Sequence, residues 1–283
     1  MQQNEEIRNQ RDELERQRNL AHQQRHEIAA KNDEITSSIQ YARSIQSSLL
    51  IPDRLIQKML PEHFILFKPK DIVSGDFYWL HEKNGRVLFA SVDCTGHGVP
   101  GAFMSLLGIS YLNDVVSEQD NGRAGEILDR LRVKVIHALR QESPDRNNRD
   151  SMDIALCIWD RNAHTLEYAG AYNPLYLVRD GELTVYKANR MTIGIESRLD
   201  KSFTTHDINL REGDMVYLFT DGFPDQLSQD HHEKMNISRF KELVASISRL
   251  TPREQHIKLN QHFKSWKGQY EQVDDELEMG VRV

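Results

Sequence analysis

The sequence predicts an α+β fold in which antiparallel sheets pack together under helices, preceded by one long N-terminal helix. Three observations point to it. Residues up to Leu49 contain neither proline nor glycine and are rich in Glu, Gln, Arg and Lys, which favour helix. Beyond Pro52, short apolar runs of strand type arrive in two batches, each followed by segments with helical spacing. Grouping of this kind argues for antiparallel sheets covered by helices and against alternating β–α units.

In the first segment Ile7, Leu14, Ala21, Ile28, Ile35, Ala42 and Leu49 recur every seventh residue, which keeps one seam facing a partner helix. The other seam position is held by Gln10, Gln17 and Gln24, with Ile45 its apolar member. This predicts a parallel homodimer through a coiled coil that is specific in register rather than strongly stable; a single solvated helix is the alternative. Pro52 stops the helix, because the residue before a proline is pushed out of helical geometry. The boundary divides a linker helix, residues 1–51, from a globular domain, residues 52–283.

Strands are then expected at Phe64–Lys68, Asp76–His81 and Val87–Asp93, the last an apolar run suited to burial. Helices follow at Pro100–Val116 and at Gly125–Gln141, where Ile127, Leu128, Leu131, Val135 and Leu139 share a face. Met152–Trp159, Thr165–Ala169, Leu175–Arg179 and Leu183–Lys187 come so close together, with Asn-Pro and Asp-Gly turns between, that they predict hairpins. A strand at Met215–Thr220, helices at Ile237–Ile247 and Arg253–Trp266, and a closing strand at Leu277–Val283 complete the chain.

Hydrophobic residues make up 39% of the chain and charged ones 28%, ordinary values for a globular protein. The formal charge of −7, with no basic stripe, argues against nucleic-acid binding, which needs clustered Lys and Arg. The two cysteines, Cys94 and Cys157, lie inside apolar runs, so a disulfide framework is not expected and a reducing, cytoplasmic compartment is. No run approaches the ~18 consecutive apolar residues of a membrane span, so no direct membrane insertion is expected. A stalk opening at Met1 fits the cytoplasmic portion of a larger, membrane-linked sensor protein.

Four aspartates sit at strand ends or in glycine turns: Asp76 in Ser-Gly-Asp-Phe-Tyr, Asp93 in Val-Asp-Cys-Thr-Gly-His-Gly, Asp221 in Phe-Thr-Asp-Gly and Asp274 in Val-Asp-Asp. Carboxylates that end apolar strands need a compensating cation, and oxygen-only donors suit Mg²⁺ or Mn²⁺. The ordered series Lys68-Pro69, Val73-Ser74-Gly75-Asp76-Phe77-Tyr78, Asp93-Cys94-Thr95-Gly96-His97-Gly98-Val99-Pro100-Gly101-Ala102, Met152-Asp153, Ala169-Gly170, Asn173-Pro174, Thr220-Asp221-Gly222 and Asp274-Asp275 resembles the PPM phosphatase family, in its bacterial sporulation-phosphatase (SpoIIE-type) branch.

The resemblance implies two antiparallel sheets face to face with helices on both outer faces, holding two Mn²⁺ or Mg²⁺ ions at one edge. Asp93 would bridge both ions, Cys94 would offer its backbone carbonyl, Asp221 and Asp274 would hold the second ion, and Asp76 would act mainly through coordinated water. The reaction implied is hydrolysis of phosphoserine or phosphothreonine by a two-metal-activated water. The substrate implied is a phosphorylated protein such as an anti-sigma-factor antagonist, with an upstream sensor acting through the helix. His97, between two glycines, is a candidate proton donor to the leaving oxygen, against the plainer reading of a loop hydrogen bond. Asp153 reads as a structural partner.

Two features depart from the branch. Glu276 and Glu278 replace aliphatic residues in the closing strand, which makes an edge position one expectation, and Ser151 stands where glycine is common. A cysteine-phosphatase reading fails, because Pro100 and Ala163 occupy the positions six residues after the two cysteines, where arginine is required. A catalytically silent PPM-like interaction module and a hydrolase of small phosphorylated metabolites are the alternative functions.

Overall fold

The computed structural model describes residues 2–118, 122–141, 149–195, 200–229 and 233–283, with side chains from residue 8 onward. The side chain of Ile7, first in the expected seam, lies outside the described residues. The chain divides into two compact units, Met1–Ile45 and Gln46–Val283. Helix α1 (Gln2–Leu49) is unbroken, as its composition requires. Along it Leu14, Ile28 and Ile35 are 66%, 59% and 57% exposed, so the apolar row stands uncovered.

The second unit continues through α2 (Asp53–Met59), β1 (His63–Lys68), β2 (Phe77–Lys83), β3 (Arg86–Cys94), α3 (Gly98–Glu118) and α4 (Ala124–Ala138). Next come β4 (Met152–Asp160), β5 (Thr165–Ala171), β6 (Leu175–Arg179), β7 (Glu182–Tyr186), β8 (His206–Asn209) and β9 (Met215–Phe219). The chain closes with α5 (Gly222–Asp225), α6 (Asn236–Ile247), α7 (Pro252–Lys267) and β10 (Glu276–Arg282). One sheet runs β1-β10-β9-β6-β7 and the other β2-β3-β4-β5-β8, with antiparallel pairing throughout.

Strand alternation sorts the side chains into three apolar layers. Phe89, Ala155, Cys157 and Tyr168 of one sheet meet Leu177, Val216, Leu218 and Met279 of the other between the sheets. The opposite faces of β2 to β5 pack beneath α3 and α4, through Phe77, Val92 and Ile154 against Leu112, Val115 and Leu128. The outer face of the first sheet, with Phe64, Tyr176 and Phe219, lies beneath Phe240, Val244, Leu259 and Phe263 of α6 and α7. Helix α3 has the length and apolar content of a membrane span, but Met104, Ile109, Leu112, Val115 and Val116 spend that apolarity on the core.

The architecture is therefore the α+β sandwich expected, with helices on both faces. Three elements are additional: α2, which starts directly after Pro52; the short strand β8; and the single turn α5. The edge expectation for the closing strand is corrected. β10 is internal, between β1 and β9, and both Glu276 and Glu278 are buried on its outer face. The sheet tolerates Glu276 because Lys68, opposite it on β1, reaches its carboxylate at 3.0 Å while lying over the Phe263 ring.

Candidate metal centre

The same period of two that builds the inner core delivers a row of carboxylates to one end of the sandwich. On β3, Val87, Phe89 and Ser91 share a face, and Asp93 continues it past the last inner-core residue. Val92 opposes Phe77 and Asp93 opposes Asp153, so Asp76, Asp93 and Asp153 lie side by side at the ends of β2, β3 and β4. Neighbouring strands are about 4.8 Å apart, which sets the spacing of that row. Facing it across the sandwich are the end of β9, with Thr220 and Asp221, and the start of β10, with Asp274 and Asp275.

Burial defines the electrostatics. Asp76 is 3% exposed, and its Oδ2 has no hydrogen-bond partner. Desolvation pushes its carboxyl well above the usual range; a hydrogen bond from Thr220 opposes the shift, and the charges of Asp275, Asp274 and Asp221 add to it. Asp93 is raised in the same way, by burial first and then by Asp76, Asp221, Asp153 and Asp274. Asp221 is pushed up to about 6 by desolvation and by Asp274 and Asp225. These groups sense one another's charge and repel. Mutually repelling, desolvated carboxylates with an orphaned oxygen match the donor chemistry of a hard divalent cation.

Among the described residues, no three His, Cys, Asp or Glu side chains form a ready-made cage. Two backbone oxygens crowd this edge: a Cβ built on Gly75 would lie 3.2 Å from the Cys94 carbonyl oxygen and would collide with that of Gly96. Gly75 is thus required by close approach of two carbonyls, not by a turn. Cys94 itself is one residue out of phase with Asp93. Its side chain is buried in the layer under α3, where desolvation and then the charge of Asp93 raise its thiol, while its carbonyl oxygen approaches Gly75.

Asp275, to which the sequence assigned no role beside Asp274, fixes the loop that carries Asp76. Its Oδ1 accepts from Lys70 N at 2.7 Å and its Oδ2 from Gly75 N at 2.8 Å. Asp274 is exposed and accepts from Asp275 N at 2.8 Å. Gly222 permits the contact between the ends of β9 and β10, since a Cβ there would collide with the Asp275 carbonyl oxygen. His97 is half-exposed, and its Nδ1–H donates to Asp71 Oδ2 at 2.6 Å, a partner that spacing alone did not reveal. Ser151 closes the neighbouring turn, its carbonyl accepting from Thr95 N at 2.9 Å.

Two antiparallel sheets face to face, helices on both outer faces and acidic strand ends along one edge define a PPM-type phosphatase domain. Over residues 83–283 the chain matches the family described as stage II sporulation protein E (SpoIIE), and it belongs to that family. RsbU of Bacillus subtilis (strain 168), described as a phosphoserine phosphatase, is 25% identical over 205 residues, or 72% of this chain and 58% of RsbU. The chain thus spans less than two thirds of that relative. The SiaA-PP2C domain of Pseudomonas aeruginosa is 32% identical, with 90% of this chain and 99% of that one covered and a TM-score of 0.82. The PP2C phosphatase domain of SpoIIE from Bacillus subtilis, with a fragment of its regulatory domain, shares the fold at 16% identity and a TM-score of 0.62, covering 78% of this chain and 63% of that one.

Proposed function

We propose that the protein is a divalent-metal-dependent serine/threonine phosphoprotein phosphatase acting in partner-switching signalling. The observation that carries the reading is the row of buried Asp76 and half-buried Asp93 and Asp153 facing Asp221 and Asp274, with Asp76 Oδ2 left without a partner. Asp76, Asp93, Asp221 and Asp274, with the Cys94 carbonyl, are the residues that would hold two Mn²⁺ or Mg²⁺ ions. When bound, the ions supply Lewis acidity for activating water and offsetting phosphoryl charge.

The chain's own residues do the rest. Asp93 ends an internal strand, so its carboxylate is fixed by the ladder on both sides, and Asp275 holds the loop that presents Asp76. His97, with Nδ1–H committed to Asp71, would protonate a leaving serine oxygen through its other ring nitrogen, a step that requires the imidazolium form. The likeness to RsbU supports a phosphoserine protein as substrate, with an anti-sigma-factor antagonist as the type. The uncovered apolar row on α1 supports a parallel homodimer, through which an upstream sensor would act in a cytoplasmic setting. The test is phosphate release from candidate phosphoproteins with and without Mn²⁺. Release in Mn²⁺, lost in EDTA and in Asp93→Asn, supports the reading; activity indifferent to metal overturns it.

A further inference from the structure

Glutamine near a helix end is normally solvent-exposed, because its amide is costly to desolvate. Gln46, in the last turn of α1 and within the catalytic unit, is 7% exposed. Its amide compensates fully. Oε1 accepts from Ser74 N at 3.1 Å, and Nε2 donates to Ser74 O at 2.6 Å and to Ser105 Oγ at 2.7 Å. The side chain thus engages both backbone groups of one residue, as a neighbouring strand would. Ser105 passes the tie on to the Ala102 carbonyl at 2.9 Å, in the first turns of α3.

The residue gripped in this way stands two positions before Asp76. On its far side Gly75 N is held by Asp275, and Gly75 lies against the Gly96 carbonyl. The peptide from Ser74 to Asp76 is therefore clamped by Gln46 from one direction and Asp275 from the other. Satisfied buried polar networks rigidify the backbone they hold.

We infer that Gln46 is a positioning residue for the metal centre, holding the Ser74–Gly75 backbone so that Asp76 keeps its ligating direction. The inference rests on the metal-phosphatase reading above. Gln46→Met keeps the side chain's length but leaves both backbone groups of Ser74 unpaired. Gln46→Glu is isosteric, still accepts from Ser74 N, and cannot donate to Ser74 O.

The experiment measures Mn²⁺ binding to the full chain by titration calorimetry and by electron paramagnetic resonance of free Mn²⁺. In parallel, hydrogen exchange of the peptide over residues 74–79 is followed in EDTA, and turnover of para-nitrophenyl phosphate is followed against Mn²⁺ concentration. Both variants are expected to bind Mn²⁺ about 10- to 100-fold more weakly, the usual effect of losing a partner behind a ligand. Half-maximal activity should shift by the same factor, kcat at saturating Mn²⁺ should be recovered, and exchange in EDTA should be faster. Should Gln46→Met fail to fold, Gln46→Glu decides alone. Wild-type Mn²⁺ affinity in the variants, whatever their melting temperature, overturns the inference and leaves the phosphatase reading standing. A wild-type chain that takes up no Mn²⁺ overturns both.

Discussion

An asparagine at position 93 would keep the volume and hydrogen-bonding shape of the aspartate while removing a charge from the end of an internal strand. Asp93→Asn is therefore expected to abolish phosphate release with little change in the circular dichroism spectrum, and near-normal Mn²⁺-dependent turnover would refute its role. Cys94→Ser should retain most activity, because the thiol is buried beneath α3 and the proposed contribution of this residue is its backbone carbonyl, beside Gly75. A hundredfold loss with unchanged metal affinity would revive thiol chemistry.

The raised carboxyl of Asp221 gives a signed pH effect. Its folded pKa of about 6 exceeds the unfolded 3.8, so the metal-free fold holds the extra proton between those values. Stability from that proton is present below the unfolded value and lost as pH rises through about 6. Asp76 and Asp93 shift in the same direction. In EDTA the melting temperature should fall from about pH 5 to about pH 7, while the increment from Mn²⁺, which competes with these protons, should grow over the same interval. Melting scans in both conditions check this, and an Mn²⁺ increment larger at the acid end would contradict it.

Asp76, Asp93 and Asp221 stand out in the sequence because each has a glycine close by at the end of an apolar run, whereas Asp274, in Val-Asp-Asp, stands out only as part of the ordered set. Asp71, Asp275 and Gln46 do not. Their roles lie in contacts with His97, Gly75 and Ser74, respectively, and nothing in local spacing records which backbone a polar side chain will meet.

Among the elements, period-two and helical patterns located the strands of both batches and the four helices that cover them, since burial imposes those periods directly. Misses fell where burial is weak or the element is short. Pro52 was read only as the end of one helix, yet its φ of −65° also suits it to begin the next, α2. β8 is a four-residue edge strand with one buried side chain, Ile208, too little pattern to detect. β10 shows the opposite failure, because alternating Glu reads as a solvent face. Here that face is buried against α7, where desolvation pushes Glu276 up to about 7 and Lys68 opposes the shift. Glu278, its oxygens without partners, is raised further by burial and by the charge of Glu276. Lys68→Met should then destabilise the fold by about 3 kcal/mol in chemical denaturation, because it strands a buried carboxylate. The double variant Lys68→Met/Glu276→Met should recover most of that loss, since apolar replacement of a buried pair is often neutral. If the single variant unfolds like wild type, the pair is not what lets β10 stay internal.

For the whole molecule, the expected outcome is a parallel homodimer through α1 whose seam tunes the catalytic unit. Leu14, Ile28, Ile35 and Leu49 repeat on one side of the helix and are all exposed, so pairing two copies removes them from water. Gln10, Gln17 and Gln24 in the alternate position keep the pairing weak, which lets a small bias shift the packing. Truncation at Ser47 would remove Gln46 and confuse loss of the seam with loss of the Ser74 clamp. A chain beginning at Ile39 retains Gln46 and drops most of the heptads. Sedimentation should show the full chain as a dimer at tens of micromolar and the shortened chain as a monomer, with different turnover at saturating Mn²⁺. If the full chain sediments as a monomer, the seam has no partner of its own kind. If the two turnovers are the same, the helix joins copies without tuning the carboxylate edge, and any regulation must enter through another surface.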